Sequence, residues 1–315
     1  MRDIMNREII RVLGLPFRSA EAMVEANVDG ALQLIAEELR KDPVDIVVLP
    51  ELFTCGYCAP CLAPYAEAMN GPTMRKFQKY SDELGVAIGY GFAEVSGTER
   101  VYNSWAFLEP GVDAKVYRKM HLHPSKPSSP ANEKDFLLPG DSLEPLATRM
   151  GWMGVMLCYD GCFVEVPRTL ALKGADFIVW PTRSGCYLAS HSLTPVRALD
   201  NTLPIIQVEG GQTGAYMPLS AWSSAASATG NVLASRKDYM PFRVELDIEE
   251  GRRLRASSDA GGHSLYVPRR PELYGAITEM SEHHQNKLRS KTAGSRINTG
   301  KIYRAKLTGE RKVSV

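Results

Sequence analysis

The sequence has almost no excess of charge of either sign and no long uncharged apolar run. Lys and Arg number 37 against 36 Asp and Glu, which gives a formal net charge of +1. A chain so close to neutral has no overall field that would attract nucleic acid or an anionic membrane. No apolar run reaches the length of about 18 residues that a transmembrane helix needs. The amino-terminal segment mixes charged with apolar residues, unlike a secretory leader. We therefore expect a cytoplasmic protein without nucleic-acid or membrane partners.

The sequence also lacks an internal repeat and any linker rich in proline, glycine or serine. Its 315 residues are 44% hydrophobic and 23% charged, an ordinary globular composition. A chain of this length buries enough surface to be stable without disulfides. One large domain is therefore the simplest organisation, and we place it at residues 1–284.

Residues 285–315 differ, because basic residues dominate and apolar periodicity is lost. Such a segment is most often a solvated tail. The alternatives are an arm that docks on a partner subunit and a contact with an anionic polymer. The docking arm is favoured over nucleic-acid binding, because only Tyr303 interleaves an aromatic ring with the basic residues.

Strand-like apolar runs alternate with helical patterns over most of the chain, which is typical of a layered α/β domain. A Pro110–Gly111 turn between two short strands predicts a hairpin, so we expect mixed rather than purely parallel sheets. Strands are predicted at 9–15, 45–49, 86–92, 103–108, 114–117, 152–157, 177–180, 204–208, within 220–234 and at 242–246. Helices are predicted at 24–39, 73–84, 164–173 and 195–201.

Three predicted strands end in reactive side chains. The segment DIVVLPE ends at Glu51, AKVYRK ends at Lys119, and GVMLCYD ends at Cys158 and Asp160. Taken singly, each residue has a structural explanation, as a turn residue, a surface charge or a small core side chain. In open α/β sheets, however, ligands bind beyond the carboxyl ends of the strands.

Together the three residue types form a minimal set for acyl transfer. A cysteine thiol needs a base, which a carboxylate can supply. The tetrahedral intermediate carries an oxyanion, which a buried ammonium and a backbone N–H can stabilise. The pattern therefore predicts attack on an amide-like carbon through a thioester, with Cys158 as the nucleophile.

These segments resemble the nitrilase, or carbon–nitrogen hydrolase, superfamily. The likeness covers about residues 8–275 in the family's order, and the matching segments are VVLPELF, YNSWAFLEPG, VYRKMHL, GVMLCYDGCFVEVPRTLALKGADFIVWP, RALDNTLPIIQVEGG, ASATGNVLA and RRPELYGAI. The resemblance implies a four-layer α-β-β-α sandwich with mixed sheets. It also implies assembly into a homodimer or a higher homo-oligomer, in which the tail contacts the partner subunit.

The resemblance also implies residue roles and a reaction. Cys158 would be the nucleophile, Glu51 the general base and Lys119 the stabiliser of the tetrahedral intermediate. Glu133 stands where many members carry a further glutamate, and the N–H of Tyr159 would complete the oxyanion site. No cofactor or metal is implied.

Features within the superfamily bear on the branch, and they point in different directions. Tyr159 and Asp160 replace the Trp-Glu typical of nitrilases, and the CYDGCF segment resembles aliphatic amidases and formamidases. The lysine segment resembles carbamoylases and omega-amidases instead. The family's usual Phe-Pro-Glu is Phe163-Val164-Glu165 here. We therefore expect a small linear amide or N-carbamoyl substrate, with a nitrile as the alternative.

Other readings remain open at this point. Cys55, Cys58 and Cys61 have a spacing that could hold a metal, although no fourth ligand lies nearby in sequence. An amide-forming acyltransferase would use the same thioester, and a non-catalytic binding protein could share the scaffold. Cys162, four residues after Cys158, could be a second redox-sensitive thiol.

Aromatic and imidazole side chains are further candidates near the site. Those that could line the pocket are Tyr57, Trp180, Tyr187 and Trp222, although most aromatic residues are core. His121 and His123 follow Lys119 closely, and an orienting role is favoured over metal binding.

Overall fold

A computed structural model describes residues 8–57, 62–124, 132–183, 192–213, 222–256, 266 and 268–278. Numbered along the chain, the strands are β1 (Ile9–Gly14), β2 (Arg18–Ala20), β3 (Ile46–Val48), β4 (Ala87–Val95), β5 (Val101–Glu109), β6 (Val112–Arg118), β7 (Leu137–Leu138), β8 (Leu146–Thr148), β9 (Gly151–Val155), β10 (Phe177–Thr182), β11 (Ile205–Glu209), β12 (Gly211–Thr213), β13 (Ser223–Ala226), β14 (Val232–Arg236) and β15 (Phe242–Asp247). The helices are α1 (Val24–Lys41), α2 (Pro72–Leu84), α3 (Glu133–Phe136), α4 (Glu165–Leu172), α5 (Thr194–Asn201), α6 (Ile248–Ala256) and α7 (Gly275–Thr278).

Two mixed sheets organise the strands. The first sheet has the order β15-β1-β3-β4-β5-β6, with β7 beside β5. The second has the order β14-β13-β11-β10-β9-β8. The central pairs of each sheet are parallel, β1 with β3 and β3 with β4 in the first, β9 with β10 and β10 with β11 in the second. The other pairs along these two orders are antiparallel, and β7 is parallel to β5, so the expectation of mixed sheets is confirmed. A short parallel pair, β2 with β12, lies outside both.

Alternating side chains bury both faces of each sheet. Ile46 and Val48 on β3 belong to the cluster between the sheets, whereas Val47 belongs to the cluster beneath α1 and α2. On β10, Val179 faces the first sheet and Ile178 faces α4 and α5. Successive strand residues point to opposite faces, so a continuously apolar strand marks a sheet covered on both sides.

Helices cover the outer face of each sheet. Leu32 and Ile35 of α1 and Phe77 of α2 pack on the first sheet, and Leu170 of α4 and Ala198 of α5 pack on the second. Burial of each large apolar side chain stabilises the fold by about 1.5–3 kcal/mol. The layers therefore follow the order α-β-β-α, as the sequence predicts.

The predicted helices and strands are confirmed with small shifts at their ends. Helix α2 begins at Pro72, because proline is well suited to the first helical position, and ends before Gly85 with φ +67°. The segment 220–234 holds two strands of a hairpin, β13 and β14, with Gly230 in the turn at φ +78°.

Four short strands and helices α3, α6 and α7 escaped sequence-based prediction; α3 and α7 have only four residues each. Strands β2, β7, β8 and β12 have two or three residues each, too few for an alternation to be recognised. Helix α6 has the sequence IEEGRRLRA, and of its residues only Ile248 and Gly251 are buried. A short charged helix with so few apolar positions has no clear periodic signature.

The chain divides into two compact units, residues 1–266 and 267–315. All the layers lie in the first unit. The described part of the second unit contains a 3₁₀ turn at Pro271–Leu273 and α7. The predicted boundary between residues 284 and 285, and the tail beyond it, lie outside the described residues. Among the helices of the described residues, none is long and apolar enough to cross a membrane.

Candidate active site

Glu51 lies in the turn that follows β3, beyond the carboxyl end of that strand of the first sheet. The turn is fixed against β4, because Leu49 N–H donates to Gly89 (2.8 Å) and Gly91 N–H donates to the Pro50 carbonyl (3.1 Å). A Cβ atom at position 91 would lie 2.5 Å from both the Leu52 nitrogen and the Pro50 oxygen. Glycine at this position therefore permits the close approach that seats Glu51.

Lys119 follows β6 and reaches the same edge of the same sheet. Strands β3 and β4 are parallel, β5 is antiparallel to β4, and β6 is antiparallel to β5. β3 and β6 therefore run in the same direction, and their carboxyl ends share an edge. The Lys119 N–H donates to the Asn103 carbonyl (2.8 Å), which fixes its backbone on β5.

The Lys119 ammonium lies between two carboxylates. Its Nζ is 2.9 Å from Glu51 Oε1 and 2.8 Å from Glu133 Oε1. All three side chains are at most 3% exposed. A buried charge requires paired, hydrogen-bonded partners, and these contacts supply them. The structure thus brings together three of the predicted site residues.

Glu133 opens α3 and accepts further hydrogen bonds. The Tyr57 hydroxyl donates to its Oε1 (3.0 Å), and the His123 N–H donates to its Oε2 (2.7 Å). Tyr57, a predicted substrate-binding residue, is therefore also a partner of the predicted second glutamate. Burial, followed by the charge of Glu133, raises the pKa of Tyr57, so its phenol remains a neutral donor.

Asn103 is a site residue that sequence reasoning missed. Its Nδ2 donates to Glu51 Oε1 at 2.7 Å, and the side chain is fully buried. The available signal was an asparagine within the largely apolar strand β5, since a buried amide requires a partner. The sequence could not name that partner, which lies 52 residues away.

Cys158 comes from the second sheet, where β9 ends and a 3₁₀ turn spans Cys158–Cys162. Its φ is +45°, a left-handed conformation that costs a non-glycine residue about 1–3 kcal/mol. The Trp180 indole donates to the Cys158 carbonyl (2.9 Å). A Cβ atom at Gly161 would lie 2.2 Å from that indole, so glycine permits the contact.

Arg197 of α5 contacts the carboxyl end of the 3₁₀ turn that begins at Cys158. Its buried guanidinium donates to the carbonyls of Gly161 (3.4 Å) and Cys162 (3.2 Å). A cation at the carboxyl end of a helical turn satisfies carbonyls that lack helical partners. Trp180 therefore holds the backbone of Cys158 at the start of the turn, and Arg197 holds the last two residues of the turn.

The charges of the site act on one another. Burial and then Glu51 raise the pKa of the Cys158 thiol well above its ordinary value, against the opposing effect of Lys119. Burial alone would lower the pKa of Lys119, but Glu51, Cys158 and Glu133 together raise it well above its ordinary value. At neutral pH the resting site therefore holds a protonated thiol and a charged ammonium.

The two sheets together supply this site. Glu51 and Lys119 belong to the first sheet and Cys158 to the second. In addition, the Arg183 side chain, at the end of β10, donates to the Glu51 carbonyl (3.3 Å), and the Arg183 backbone opposes the rise in the pKa of the Cys158 thiol. The structure therefore places the Glu51 carboxylate and the Lys119 ammonium in direct contact, with the Cys158 thiol near enough to act on the pKa of the ammonium, at a junction between sheets rather than along one edge.

Tyr159 and Trp180 differ in how far they are buried and in the side chains that they contact. The Tyr159 ring is half-buried and meets the rings of Phe163 (5.1 Å) and His123 (4.9 Å) edge-on. The Trp180 ring is fully buried among apolar side chains beneath the cysteine turn. Their roles at the oxyanion and in the pocket wall stay predictions. Trp222 lies beneath the ammonium of Lys237 (4.8 Å).

The remaining cysteines are only partly described. Cys55 is buried, and its thiol donates to the Gly56 carbonyl (3.3 Å). Cys162 is exposed. The residues that lie outside the described ranges are Cys58, Cys61, Cys186 and Tyr187. The three-cysteine metal site therefore stays untested.

Comparison with known proteins decides the family. A sequence model described as "Carbon-nitrogen hydrolase" matches residues 10–239. This chain belongs to the carbon–nitrogen hydrolase family. An N-carbamoylputrescine amidase of Oryza sativa is 30% identical over 280 residues, which cover 80% of this hydrolase and 89% of the relative. A nitrilase of Pyrococcus abyssi is 30% identical over 260 residues, covering 79% and 93%.

Solved structures confirm the fold of the hydrolase. A carbon–nitrogen hydrolase from Helicobacter pylori superposes with a TM-score of 0.73 at 22% sequence identity, over 86% of this chain and 99% of that one. The chain is thus a carbon–nitrogen hydrolase enzyme with the nitrilase fold. Its relatives include both amidases and nitrilases.

Proposed function

We propose that this hydrolase cleaves the C–N bond of a small linear amide or N-carbamoyl compound and releases ammonia. The observation that carries the proposal is the Lys119 ammonium, buried between Glu51 and Glu133 at 2.9 and 2.8 Å and electrostatically coupled to the Cys158 thiol. A charge buried beside a reactive thiol is suited to an intermediate that gains negative charge. Neither a metal nor a cofactor takes part in the proposed reaction.

In the first half-reaction, Glu51 accepts the thiol proton as the Cys158 sulfur attacks the substrate carbon. The carbonyl π electrons move to oxygen, and Lys119 and the Tyr159 N–H stabilise the resulting oxyanion. Glu51 then returns the proton to the departing nitrogen. The C–N bond breaks, ammonia leaves, and a thioester remains on Cys158.

In the second half-reaction, water attacks the thioester. Glu51 accepts a proton from that water and later returns it to the Cys158 sulfur as the C–S bond breaks. One water is consumed and the acid is released, so the enzyme ends in its starting state. A thiol with a raised pKa requires such a base, because it does not ionise by itself at neutral pH.

Glu133 is suited to hold Lys119 rather than to move protons. Its two oxygens already accept from Lys119, the Tyr57 hydroxyl and the His123 N–H. These three contacts leave it little freedom to rotate toward a substrate. It therefore fixes the ammonium in the direction of the developing oxyanion.

Two sequence features and one relative favour an amide or carbamoyl substrate. Tyr159 and Asp160 follow the cysteine in place of the nitrilase Trp-Glu, and the Oryza sativa relative is an N-carbamoylputrescine amidase. The nitrilase of Pyrococcus abyssi keeps the nitrile as the second candidate. An acyltransferase would differ only in that an amine replaces water at the thioester.

The test combines one substitution with a substrate panel. Wild-type enzyme is mixed with linear amides, N-carbamoyl amines including N-carbamoylputrescine, and nitriles, then acid-quenched and weighed by intact-protein mass spectrometry. We expect an acyl adduct and ammonia release with an amide or carbamoyl compound. Cys158→Ala should lose both while remaining folded, because it removes little volume.

Cys162→Ala is the matched control, since this thiol is exposed and lies four residues away. It should keep turnover within about twofold, as expected of a surface substitution. Turnover that survives in Cys158→Ala would overturn the proposed mechanism. If adducts form with nitriles alone, the hydrolase would instead be assigned to the nitrilase branch.

The expected assembly belongs to the proposal as well. We propose a homodimer or higher homo-oligomer, with residues 285–315 contacting the partner subunit. The cytoplasmic location likewise stays a prediction from the sequence.

A further inference from the structure

Asp160 is a buried carboxylate, two residues after Cys158, that the proposed reaction does not use. Its Oδ1 accepts from the N–H (2.8 Å) and the ring Nδ1 (2.8 Å) of His121. Its Oδ2 accepts from the Tyr117 hydroxyl (2.8 Å) and the Leu157 N–H (3.0 Å). An ionised carboxylate has about four acceptor positions, and here each is filled.

The donors come from both catalytic segments. Tyr117 precedes Lys119 by two residues and His121 follows it by two, whereas Leu157 immediately precedes Cys158. The Asp160 carboxylate therefore binds the lysine segment on both sides of Lys119, at Tyr117 and His121. Asp160 itself belongs to the cysteine turn, which begins at Cys158. Because the first segment belongs to the first sheet and the second to the other sheet, the carboxylate links the sheets at the reacting groups.

A ring contact reinforces this link. The His121 imidazole stacks on the Phe163 ring at 4.0 Å and 22°. Phe163 follows the 3₁₀ turn directly, and its N–H donates to the Asp160 carbonyl (3.2 Å). Since an ionised carboxylate only accepts, the proton of a neutral His121 lies on Nδ1. The cysteine turn and the lysine segment thus contact each other through the Asp160 carboxylate and, independently, through stacked rings.

We propose that Asp160 is a positioning residue that sets the separation between the Cys158 sulfur and the Lys119 ammonium. The inference rests on the proposed roles of those two residues. Asp160 acts through the backbone and rings that flank them and does not touch substrate. A shift of about 1 Å in such a pair can lower a rate by about 10²-fold, so positioning is measurable in kcat.

The principal variant is Asp160→Asn. The amide keeps two acceptor positions at one oxygen, but its NH₂ cannot accept from Tyr117 or Leu157. We expect kcat to fall about 10²-fold, as for a misplaced reacting pair, while KM changes by less than about threefold. Ammonia release is measured with the panel compound that the wild type turns over fastest.

Asp176→Asn is the matched control. Asp176 is another buried aspartate; it accepts from the Trp152 N–H (2.9 Å) and from Arg252 (2.8 Å) at the amino-terminal end of the second sheet. Its substitution weakens ion pairs with Arg252 and Arg255 as well as hydrogen bonds, and Asp176 precedes β10 at the end opposite to the cysteine turn. We expect a fall in Tm at least as large but a kcat within about twofold of wild type, since independent sites do not couple.

A double-mutant cycle identifies the contact. Tyr117→Phe removes only the hydroxyl and should lower kcat about fivefold, consistent with the loss of one hydrogen bond to a charged group. Combined with Asp160→Asn, it should lower kcat no further, because both changes break the same link. The cycle thereby separates positioning from a general loss of stability.

Three results would overturn the inference. They are a kcat for Asp160→Asn no lower than that for Asp176→Asn, losses that multiply in the double variant, and a change confined to KM. Cys158→Ala is assayed in parallel. If it is inactive while Asp160→Asn is fully active, only the positioning role fails; if it is active, the proposed function fails and this inference fails with it.

Discussion

The Lys119 side chain combines full burial with a full positive charge. Such a group is stable only while its partners remain ionised, and its removal leaves Glu51 and Glu133 buried, facing each other without a cation. In the proposed mechanism this single ammonium therefore serves the fold and the chemistry together. The two effects require separate measurements.

Lys119→Met should lower kcat at least about 10³-fold, because the oxyanion loses its charged partner. The unpaired carboxylates should also reduce the free energy of unfolding by about 3–5 kcal/mol. Ammonia release and urea unfolding measure the two effects. Lys115→Met is the control, since Lys115 lies on β6, the strand that Lys119 follows, and pairs with Glu109 (2.8 Å) away from the site. A loss under tenfold in Lys119→Met would make Lys119 peripheral.

Single residues were predictable where a reactive type followed a strand. Glu51, Lys119 and Cys158 were found in this way, and Glu133 through the family resemblance. Asn103 and the contacts of Asp160 were not, because the partners lie 52 and 43 residues away along the chain. Hydrogen-bond partners at such separations are set by strand register, which one sequence does not reveal.

At the scale of elements, the turn after β3 is held by its closeness to β4. Gly91→Ala would place a methyl group 2.5 Å from two backbone atoms of that turn, which cannot move independently of Glu51. We expect a loss of about 1–3 kcal/mol in unfolding free energy, as in overpacked cores. The kcat should fall as well, because Glu51 is displaced.

Gly30→Ala is the control for this substitution. Gly30 is exposed on α1, and a Cβ there would meet only the Phe17 ring at 3.7 Å. Alanine in a helix interior should raise stability by about 0.5–1 kcal/mol. Thermal unfolding and turnover of both variants provide the comparison. Wild-type stability in Gly91→Ala would show that the turn accommodates the methyl group.

The rule that ligands bind at strand carboxyl ends located the right elements but not their arrangement. It correctly groups Glu51 with Lys119, since β3 and β6 run in the same direction. The rule does not predict that Cys158 follows a strand of a second sheet. The pattern of apolar strands predicts two covered sheets, whereas their relative placement depends on packing between side chains of distant segments.

At the scale of the whole molecule, the Cys158 thiol and the Lys119 ammonium link stability to pH. The raised pKa of Cys158 means that the folded state keeps a proton that the unfolded chain loses above about pH 8.5. Fewer protons on the unfolded state make the unfolding free energy fall as pH rises. The raised pKa of Lys119 has the same sign, with its stabilisation lost above about pH 10.4.

Urea unfolding between about pH 7.5 and 9.5 should therefore show decreasing stability in the wild type. The Cys158 contribution has a limiting slope of about 1.4 kcal/mol per pH unit. Cys158→Ala should show a shallower decline over this range, because it lacks the titrating thiol. Equal slopes in the two proteins would contradict a raised thiol pKa.

The division of the reacting groups between two sheets has a consequence for remote positions. Side chains such as Phe107 and Val179, which fill the space between the sheets, fix how far apart the sheets stand. Trimming or enlarging them would shift the sulfur relative to the ammonium without touching either. Some of the residues that govern turnover in this enzyme should thus be ordinary aliphatic and aromatic ones, acting as spacers.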